Sequence, residues 1–265
     1  MTSVEKRLFI GTNLKMYKTI RETLDFLKDL KKHTEDISRS EMELFVIPSF
    51  TTLSDAVKLA GEAVKIGAQN MHPEPEGQFT GEISPVMLKE IGIQIIEIGH
   101  SERRHVFNET DYFLNQKVLS ALKYDFTPLL CIGETMEQKN SGISDEVLSM
   151  QLKQGLMSLS CEDAKKLWVA YEPVWAIGVN GIPASKEYAD GKHAVIKDTI
   201  SSLFGEETAT QIPVLYGGSV NNENALDLIN MPNIDGLFIG RGAWNADNFY
   251  RIIQEVLPAF KAKQQ

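Results

Sequence analysis

Five polar side chains that could perform chemistry together each stand just after a short apolar run of the sequence. They are Asn13 and Lys15 after the first run, His100 and Glu102 after the fourth, and Glu172 after the sixth. A carboxylate can take a proton from carbon, and an imidazole can hydrogen-bond a neighbouring carbonyl oxygen. A lysine beside them supplies positive charge for an anionic substrate. Together these residue types favour proton transfer next to a carbonyl group.

The same residue types also have ordinary structural uses. Most glutamates are exposed partners in surface ion pairs, and a single histidine is more often structural than catalytic. We therefore assign structural roles to the remaining histidines, which are His33, His72, His105 and His193. The candidate residues differ from these because several of them follow predicted strands.

Short and nearly all-apolar runs recur along the whole chain. They are Leu8–Gly11, Leu44–Pro48, Val64–Gly67, Ile93–Ile98, Pro128–Ile132, Leu167–Ala170, Ile212–Leu215 and Gly236–Ile239. Such runs are typical of strands buried on both faces. Between them lie longer segments with helical spacing, such as Phe249, Ile252, Ile253 and Val256.

Eight strands alternating with about eight helices predict parallel βα units. A single (β/α)8 barrel over residues 1–265 is the economical arrangement, and a doubly wound sheet is the alternative. In a barrel, functional residues lie on the rim formed by the carboxyl ends of the strands. The five polar residues meet that requirement, as do the glycine-rich segments 217–219 and 240–242.

Charge and cysteine content exclude several classes of protein. With a formal net charge of −9, the chain has no electrostatic footprint for nucleic acid. The N-terminal apolar run, Leu8 to Ile10, is far too short for a signal peptide or a membrane span. Cys131 and Cys161 lack metal-ligand spacing, so we expect no metal, no other cofactor and a reduced cytoplasmic location. An anionic substrate must then be held by local positive charge or by backbone N–H groups.

Eight segments of the chain resemble the signature segments of the triosephosphate isomerase family, in the order in which the family has them. They are GTNLKMY (11–17), GAQN (67–70), FTGEISP (79–85), IGHSERR (98–104), LLCIGE (129–134), AYEPVWAIG (170–178), YGGSV (216–220) and DGLFIG (235–240). The resemblance covers the chain from residue 11 to about residue 245 and implies a sugar-phosphate isomerase built on a (β/α)8 barrel. This family is itself a standard example of the (β/α)8 barrel and of pKa tuning in an active site, so general rules drawn from it are not independent support.

The resemblance assigns a role to each of the five polar residues. Glu172 is the base that moves a proton between two carbons, and His100 is a neutral electrophile at the start of a helix. Lys15 supplies positive charge beside the substrate. Asn13 donates to the carbonyl oxygen, and Glu102 pairs with Lys15 and supports it, with a possible part in proton transfer.

Phosphate binding and closure fall to three loops after the last three predicted strands. The resemblance places phosphate contacts at Gly178, Gly217, Gly218, Ser219, Gly240 and Arg241. Glycines suit this task because a phosphate needs several convergent backbone N–H groups with no side chain in the way. The lid is predicted over residues 173–184, beginning with Pro173, Val174, Trp175, Ala176 and Ile177. Such a lid excludes water from a reactive enediolate.

The resemblance also implies a homodimer. Thr80 is similar to the tip of the loop that forms the family's dimer, and Glu82 and Arg103 are expected to pair across that interface. The ordinary alternative for this segment is a surface loop without a partner.

The chain departs from the family's usual pattern at four places. The family's usual NWKMN is NLKMY here (13–17), and the usual TGKTA of the lid is VNGIPAS (179–185). The usual GGASL after the last strand is GRGAW (240–244), and the fifth loop is extended by QKNSG (138–142). The catalytic set is intact while the segments that shape and close the pocket are altered, which predicts retained chemistry with altered specificity.

The altered lid and last loop resemble a branch of the family that interconverts L-erythrulose 1-phosphate and D-erythrulose 4-phosphate in erythritol breakdown. That substrate is dihydroxyacetone phosphate with one extra hydroxymethyl group, so the same base can serve both. The triose phosphates of glycolysis are the alternative substrate. A barrel that binds phosphate without catalysis is a remote third reading, since no catalytic residue is lost.

Overall fold

The computed structural model describes residues 7–178 and 181–264. Its eight strands are β1 (Leu8–Asn13), β2 (Met42–Ile47), β3 (Lys65–Ala68), β4 (Ile95–Ile98), β5 (Thr127–Ile132), β6 (Trp168–Tyr171), β7 (Val214–Tyr216) and β8 (Gly236–Ile239). Each predicted run contains one strand, with ends that differ by up to two residues. One difference concerns the site, because β1 ends at Asn13, which is thus the last residue of the strand and not the second after it.

The strands close into one parallel barrel in chain order. Hydrogen bonding between β1 and β8 completes the ring, with Gly11 opposite Phe238 and Thr12 opposite Ile239. This closure confirms the (β/α)8 barrel and excludes the doubly wound sheet, whose edge strands stay unpaired.

Twelve helices lie among the described residues, more than the eight predicted, because several short ones occur within the loops. They are α1 (Ile20–His33), α2 (Leu53–Ala60), α3 (Pro85–Glu90), α4 (Ser101–His105), α5 (Asp111–Lys123), α6 (Met136–Asn140), α7 (Ser144–Gly155), α8 (Cys161–Ala164), α9 (Lys186–Phe204), α10 (Glu206–Ala209), α11 (Ala225–Ile229) and α12 (Ala246–Lys263). The extended fifth loop folds as α6, with a capping box formed by Thr135 and Gln138. None of the helices in the described ranges is long and apolar enough to cross a membrane.

The apolar side chains form two layers. One layer fills the space between the strands and the surrounding helices, where α12 buries Phe249, Ile252, Ile253 and Val256 as its spacing predicts. The other fills the barrel interior and includes Phe45, Ile95, Leu129, Trp168 and Phe238. Gly11 faces this interior beside the Phe45 ring, where an added Cβ would lie 2.4 Å from the ring carbons. Both faces of each strand are therefore buried, which explains their continuous apolar runs.

Candidate active site

The carboxyl ends of β4 and β6 bring the two central candidates together. The Glu172 carboxylate is buried, and its Oε1 lies 3.8 Å from Nε2 of His100. Its Oε2 accepts a long hydrogen bond of 3.4 Å from the backbone N–H of Ser101. A carboxylate oxygen in this position, beside an imidazole and one weakly donating N–H group, can accept a proton from a substrate carbon.

The hydrogen bonds of His100 determine which ring nitrogen carries the proton. His100 is the N-cap of α4, and its Nδ1 accepts a hydrogen bond of 3.1 Å from the backbone N–H of Glu102. An accepting Nδ1 carries no proton, so the neutral ring holds its proton on Nε2, the nitrogen that faces Glu172. A neutral Nε2–H group can therefore donate to a substrate oxygen beside the base.

Lys15 reaches the site from the loop after β1. Its Nζ lies 2.6 Å from Oε1 of Glu102, which is the pairing that the sequence predicts. Burial alone would raise the pKa of Glu102, but the hydrogen bond from Lys15 and its positive charge hold that pKa below its ordinary value. Lys15 has a φ of 51°, in the left-handed region that costs a non-glycine residue about 1 kcal/mol. The surrounding contacts must hold this conformation in place.

Asn13 is one of the residues that hold Lys15. Its Oδ1 accepts hydrogen bonds from the backbone N–H of Lys15 at 2.6 Å and from Nε2 of Gln69 at 3.2 Å. Its Nδ2 donates to both oxygens of Glu97, at 2.8 and 3.0 Å. The predicted donation to a substrate oxygen thus falls to the second N–H of the amide.

Glu97 was not among the predicted site residues, because it lies inside the apolar run that forms β4. Its side chain is buried in the barrel interior, close to Glu172 and Cys131. Burial, and next the charge of Glu172, raises the pKa of Glu97 well above its ordinary value. An acidic residue in an otherwise apolar buried strand was the signal that could have found it.

Trp244 and Tyr17 were noted only as departures from the family pattern. In the structure their rings are in contact, with centroids 4.3 Å apart and planes tilted by 38°, although they belong to the loops after β8 and β1. The Trp244 indole also donates to the backbone carbonyl of Asn13 at 2.9 Å. Two altered segments thus meet at one edge of the site, and one of them forms a hydrogen bond with the backbone of Asn13.

The first part of the predicted lid is anchored by a buried carboxylate. Val174–Ala176 forms a single 3-10 turn, and the indole of Trp175 donates to Oε1 of Glu134 at 2.9 Å. The same carboxylate accepts hydrogen bonds from the hydroxyl groups of Tyr171 and Tyr188. Glu134 belongs to the LLCIGE segment, but the sequence alone gave it no role.

The later part of the lid folds back on the first. The backbone N–H of Ile182 donates to the carbonyl of Trp175 at 3.1 Å. Gly181 lies so close to Ala176 that an added Cβ would be 2.5 Å from its carbonyl oxygen. Val179 and Asn180, which the lid prediction includes, lie outside the described residues.

The predicted phosphate-binding segments follow three adjacent strands, β6, β7 and β8. Gly217 and Gly218 permit close packing. A Cβ added at Gly217 would lie 2.8 Å from Cγ of Glu172, and one added at Gly218 would lie 2.3 Å from the Tyr216 hydroxyl oxygen. Ser219 is fixed by its carbonyl, which accepts from Nδ2 of Asn224 at 2.8 Å.

Arg241 links the segment after β8 to the lid. Its guanidinium group donates to the carbonyl of Gly178 at 2.9 Å, and Gly240 directly precedes it. The predicted phosphate-binding segments after β6 and β8 are therefore in direct contact.

The predicted interface residues belong to the loop after β3 and to α4. Thr80 is exposed in the loop after β3. Arg103 pairs within its own chain with Glu109, through a 2.9 Å hydrogen bond from Nε, and Glu109 also accepts from the buried Lys117. Arg103 therefore already has a carboxylate partner within its own chain. A bond from Arg103 to Glu82 of a second copy would be formed in addition to the bond with Glu109.

One group of side chains in the described ranges has the spacing of a metal site. Ligand atoms of Glu97, Cys131 and Glu172 all lie within 4.8 Å of one another. Burial raises the pKa of the Cys131 thiol and of the Glu97 carboxyl, which disfavours the deprotonated forms that bind a metal ion. The donor set is therefore a poor fit for a resident metal.

Comparison with known proteins identifies the family. A family model described as triosephosphate isomerase matches residues 8–256. A triosephosphate isomerase of Fusobacterium nucleatum is 46% identical over 250 residues, covering 94% of this chain and 98% of the relative. An L-erythrulose-1-phosphate isomerase of Rhizobium etli is 45% identical over 255 residues, covering 95% and 93%. Another with that name from Mesorhizobium japonicum is 46% identical over 247 residues, covering 92% and 95%.

Proposed function

The chain belongs to the triosephosphate isomerase family and is a sugar-phosphate isomerase, and we propose that it converts L-erythrulose 1-phosphate to D-erythrulose 4-phosphate. The supporting observation is the contact between altered segments at the site, where the Tyr17 ring packs against Trp244 and the Trp244 indole donates to the carbonyl of Asn13. Changes that shape the pocket around an intact catalytic set favour a new substrate for the same chemistry. Relatives with either name are equally similar to this chain, so identity does not choose between substrates.

The reaction is a proton transfer between the two central carbons of the substrate. Glu172 removes the proton from C3, while the C2 carbonyl oxygen takes up negative charge and accepts a hydrogen bond from Nε2–H of His100. The resulting enediolate exchanges its hydroxyl proton between the two oxygens. Glu172 then returns its proton to C2 as the carbonyl forms at C3, so no atom is gained or lost.

The remaining residues hold the substrate during this transfer. Lys15 places a positive charge beside an anionic substrate, in a protein whose net charge is −9. The phosphate is bound by backbone N–H groups of the segments at Gly178, Ser219 and Gly240. Closure of the lid from Pro173 onward excludes water and protects the enediolate from losing its phosphate.

The deciding experiment compares two substrates with one enzyme preparation. We expect kcat/KM for L-erythrulose 1-phosphate to exceed that for D-glyceraldehyde 3-phosphate, because a pocket with room for a hydroxymethyl group orients a triose poorly. A Glu172→Gln protein purified in parallel measures any isomerase carried over from the expression host. Turnover of the triose near about 10⁸ M⁻¹s⁻¹ without comparable turnover of the tetrulose would assign the protein to the triose reaction instead.

Catalysis itself is separated from mere phosphate binding by thermal protection. An isomerase binds a carbonyl-mimicking phosphate analogue more tightly than inorganic phosphate, so the analogue should raise Tm more at equal concentration. Equal protection by both would favour the non-catalytic barrel.

We also propose a homodimer formed around the loop after β3. Phe79 in this loop packs on His72, with ring centroids 4.0 Å apart, and exposed Val106 and Phe107 follow α4. Apolar side chains left exposed on a predicted contact surface are typical of an interface. Light scattering should give twice the chain mass, and Thr80→Arg should reduce it to the monomer mass.

A cytoplasmic location is the remaining part of the proposal. Both cysteines are free thiols, one buried and one exposed, as expected in a reducing compartment.

A further inference from the structure

The barrel interior contains one carboxyl group beside the catalytic residues that the proposed chemistry does not use. Glu97 lies on β4, is 1% exposed, and its strand neighbours Ile96 and Ile98 are fully buried. Placing a polar group in such surroundings costs free energy unless hydrogen bonds compensate. The compensation is the Asn13 amide, whose Nδ2 lies 2.8 and 3.0 Å from the two carboxyl oxygens.

The groups around Glu97 indicate its protonation state. Burial and the nearby charge of Glu172 raise its pKa, and Glu102 acts in the same direction, whereas the hydrogen bond from Asn13 and the charge of Lys15 act in the other. Its remaining neighbour is the thiol of Cys131, with Sγ 4.0 Å from Oε1. Ligand atoms of Glu97 and Glu172 lie within 4.8 Å of each other in this buried site, where two like charges are unfavourable, so the surroundings favour the protonated form of Glu97.

The contacts of Asn13 show what Glu97 does. The amide oxygen faces two donors, the backbone N–H of Lys15 and Nε2 of Gln69, while the amide nitrogen faces the acceptor atoms of Glu97. A flipped amide would point its own N–H groups at the Lys15 N–H and lose these bonds. Glu97 therefore selects one of two amide orientations, and the selected one also fixes the backbone of Lys15.

We propose that Glu97 is a positioning residue for the isomerisation, which acts through Asn13 by fixing the orientation of its amide and, with it, the conformation of Lys15. This inference depends on the isomerase activity of the family and is independent of whether the substrate has three or four carbons. Its test uses whichever substrate the native enzyme turns over faster.

The first measurement is kcat of Glu97→Met, which keeps the length of the side chain but accepts no strong hydrogen bond. We expect a loss of about tenfold or more, because removal of one oriented donor to a developing oxyanion costs about 10²–10³-fold and a loosened donor costs part of that. Glu97→Gln keeps a neutral acceptor for Asn13 and should recover most of the lost rate. Its pH profile should overlay that of the native enzyme, because the proposed role needs no charge on Glu97.

The second measurement tests whether the effect passes through Asn13. In an Asn13→Ala background, Glu97→Met should change kcat by no more than about twofold, since residues that act as a unit are not additive. Glu43→Leu is the matched control. Glu43 is a buried glutamate on β2 that pairs with Arg7 and Lys65. Within the described residues it forms no hydrogen bond with Asn13. Both single variants should lower Tm, but only Glu97→Met should lower kcat.

Three results would overturn the proposal. They are a kcat for Glu97→Met within about twofold of the native value, additive losses in the double variant, or a shifted pH profile for Glu97→Gln, which would assign Glu97 an electrostatic role on Glu172 instead. If Glu97→Met does not fold, Glu97→Ala removes the same hydrogen bonds without added bulk and carries the same expectations.

Discussion

The indole N–H of Trp244 donates a hydrogen bond of 2.9 Å to the backbone carbonyl of Asn13, across 231 residues of sequence. The contact joins the loops after the first and last strands of the barrel, which are neighbours because β1 pairs with β8. It also secures the chain just before Lys15, whose backbone has a left-handed conformation. The edge of the site therefore depends on a residue at which this chain departs from the usual family pattern.

Trp244→Phe should lower kcat/KM by about 2- to 10-fold, because it removes a hydrogen bond worth about 0.5–1.5 kcal/mol while keeping an aromatic ring in contact with Tyr17. Steady-state kinetics with the preferred substrate give the value. Trp168→Phe, in the barrel interior at the start of β6, is the control and should change Tm rather than kcat/KM. An unchanged kcat/KM for Trp244→Phe would show that the indole N–H does not brace the site.

Glu172→Gln should retain the fold and lose about 10²–10⁴-fold in kcat, because an amide cannot accept the substrate proton. Circular dichroism and Tm establish folding, and kcat is measured at saturating substrate. Glu187→Gln changes an exposed glutamate in the first turn of α9 and serves as the control. More than a tenth of the native kcat in Glu172→Gln would remove Glu172 from the role of base.

Lys15→Met should raise KM and lower kcat together, because the substrate phosphate would lose a nearby full positive charge. The matched control is Lys18→Met, since Lys18 lies three residues further on and places its Nζ 5.5 Å from the centre of the Phe26 ring. Values of KM and kcat within about twofold of native would be too small for a lost charged contact. They would place the substrate away from Lys15.

His193 should make the protein sensitive to acid. Its imidazole is buried against the rings of Tyr171 and Tyr216, and burial lowers its pKa to about 3. The unfolded chain binds this proton near pH 6.5 and the folded protein does not, so the free energy of unfolding falls as pH drops below about 6.5. The contribution is at most about 1.4 kcal/mol per pH unit and ends near the folded pKa.

Urea unfolding of His193→Gln tests this expectation. The variant should be less stable at about pH 7.5, yet lose less stability than the native protein between about pH 6.5 and 5. Protein concentration is held constant, since assembly of copies would also shift the midpoint. Parallel losses in the two proteins would show that other groups cause the acid sensitivity.

The sequence alone predicted the barrel architecture correctly and grouped the candidate site residues on one rim. Strands buried on both faces must be apolar throughout, so runs such as 128–132 and 236–239 marked β5 and β8 without knowledge of their partners. Parallel strands also place their carboxyl ends on one rim, so His100 and Glu172 could be grouped from chain order. Local pattern sufficed because each of these features depends on neighbours in the sequence.

Only the tertiary structure decided how those groups are supported. Glu97 meets Asn13 across 84 residues, and Trp244 meets it across 231. Glu134 joins the lid to α9 through Trp175 and Tyr188. Such contacts depend on the register of the strands and on which side chains the closed barrel turns toward one another, and neither property is encoded in local spacing. The candidate residues could therefore be found from the sequence, whereas the contacts that orient them depend on packing between distant residues.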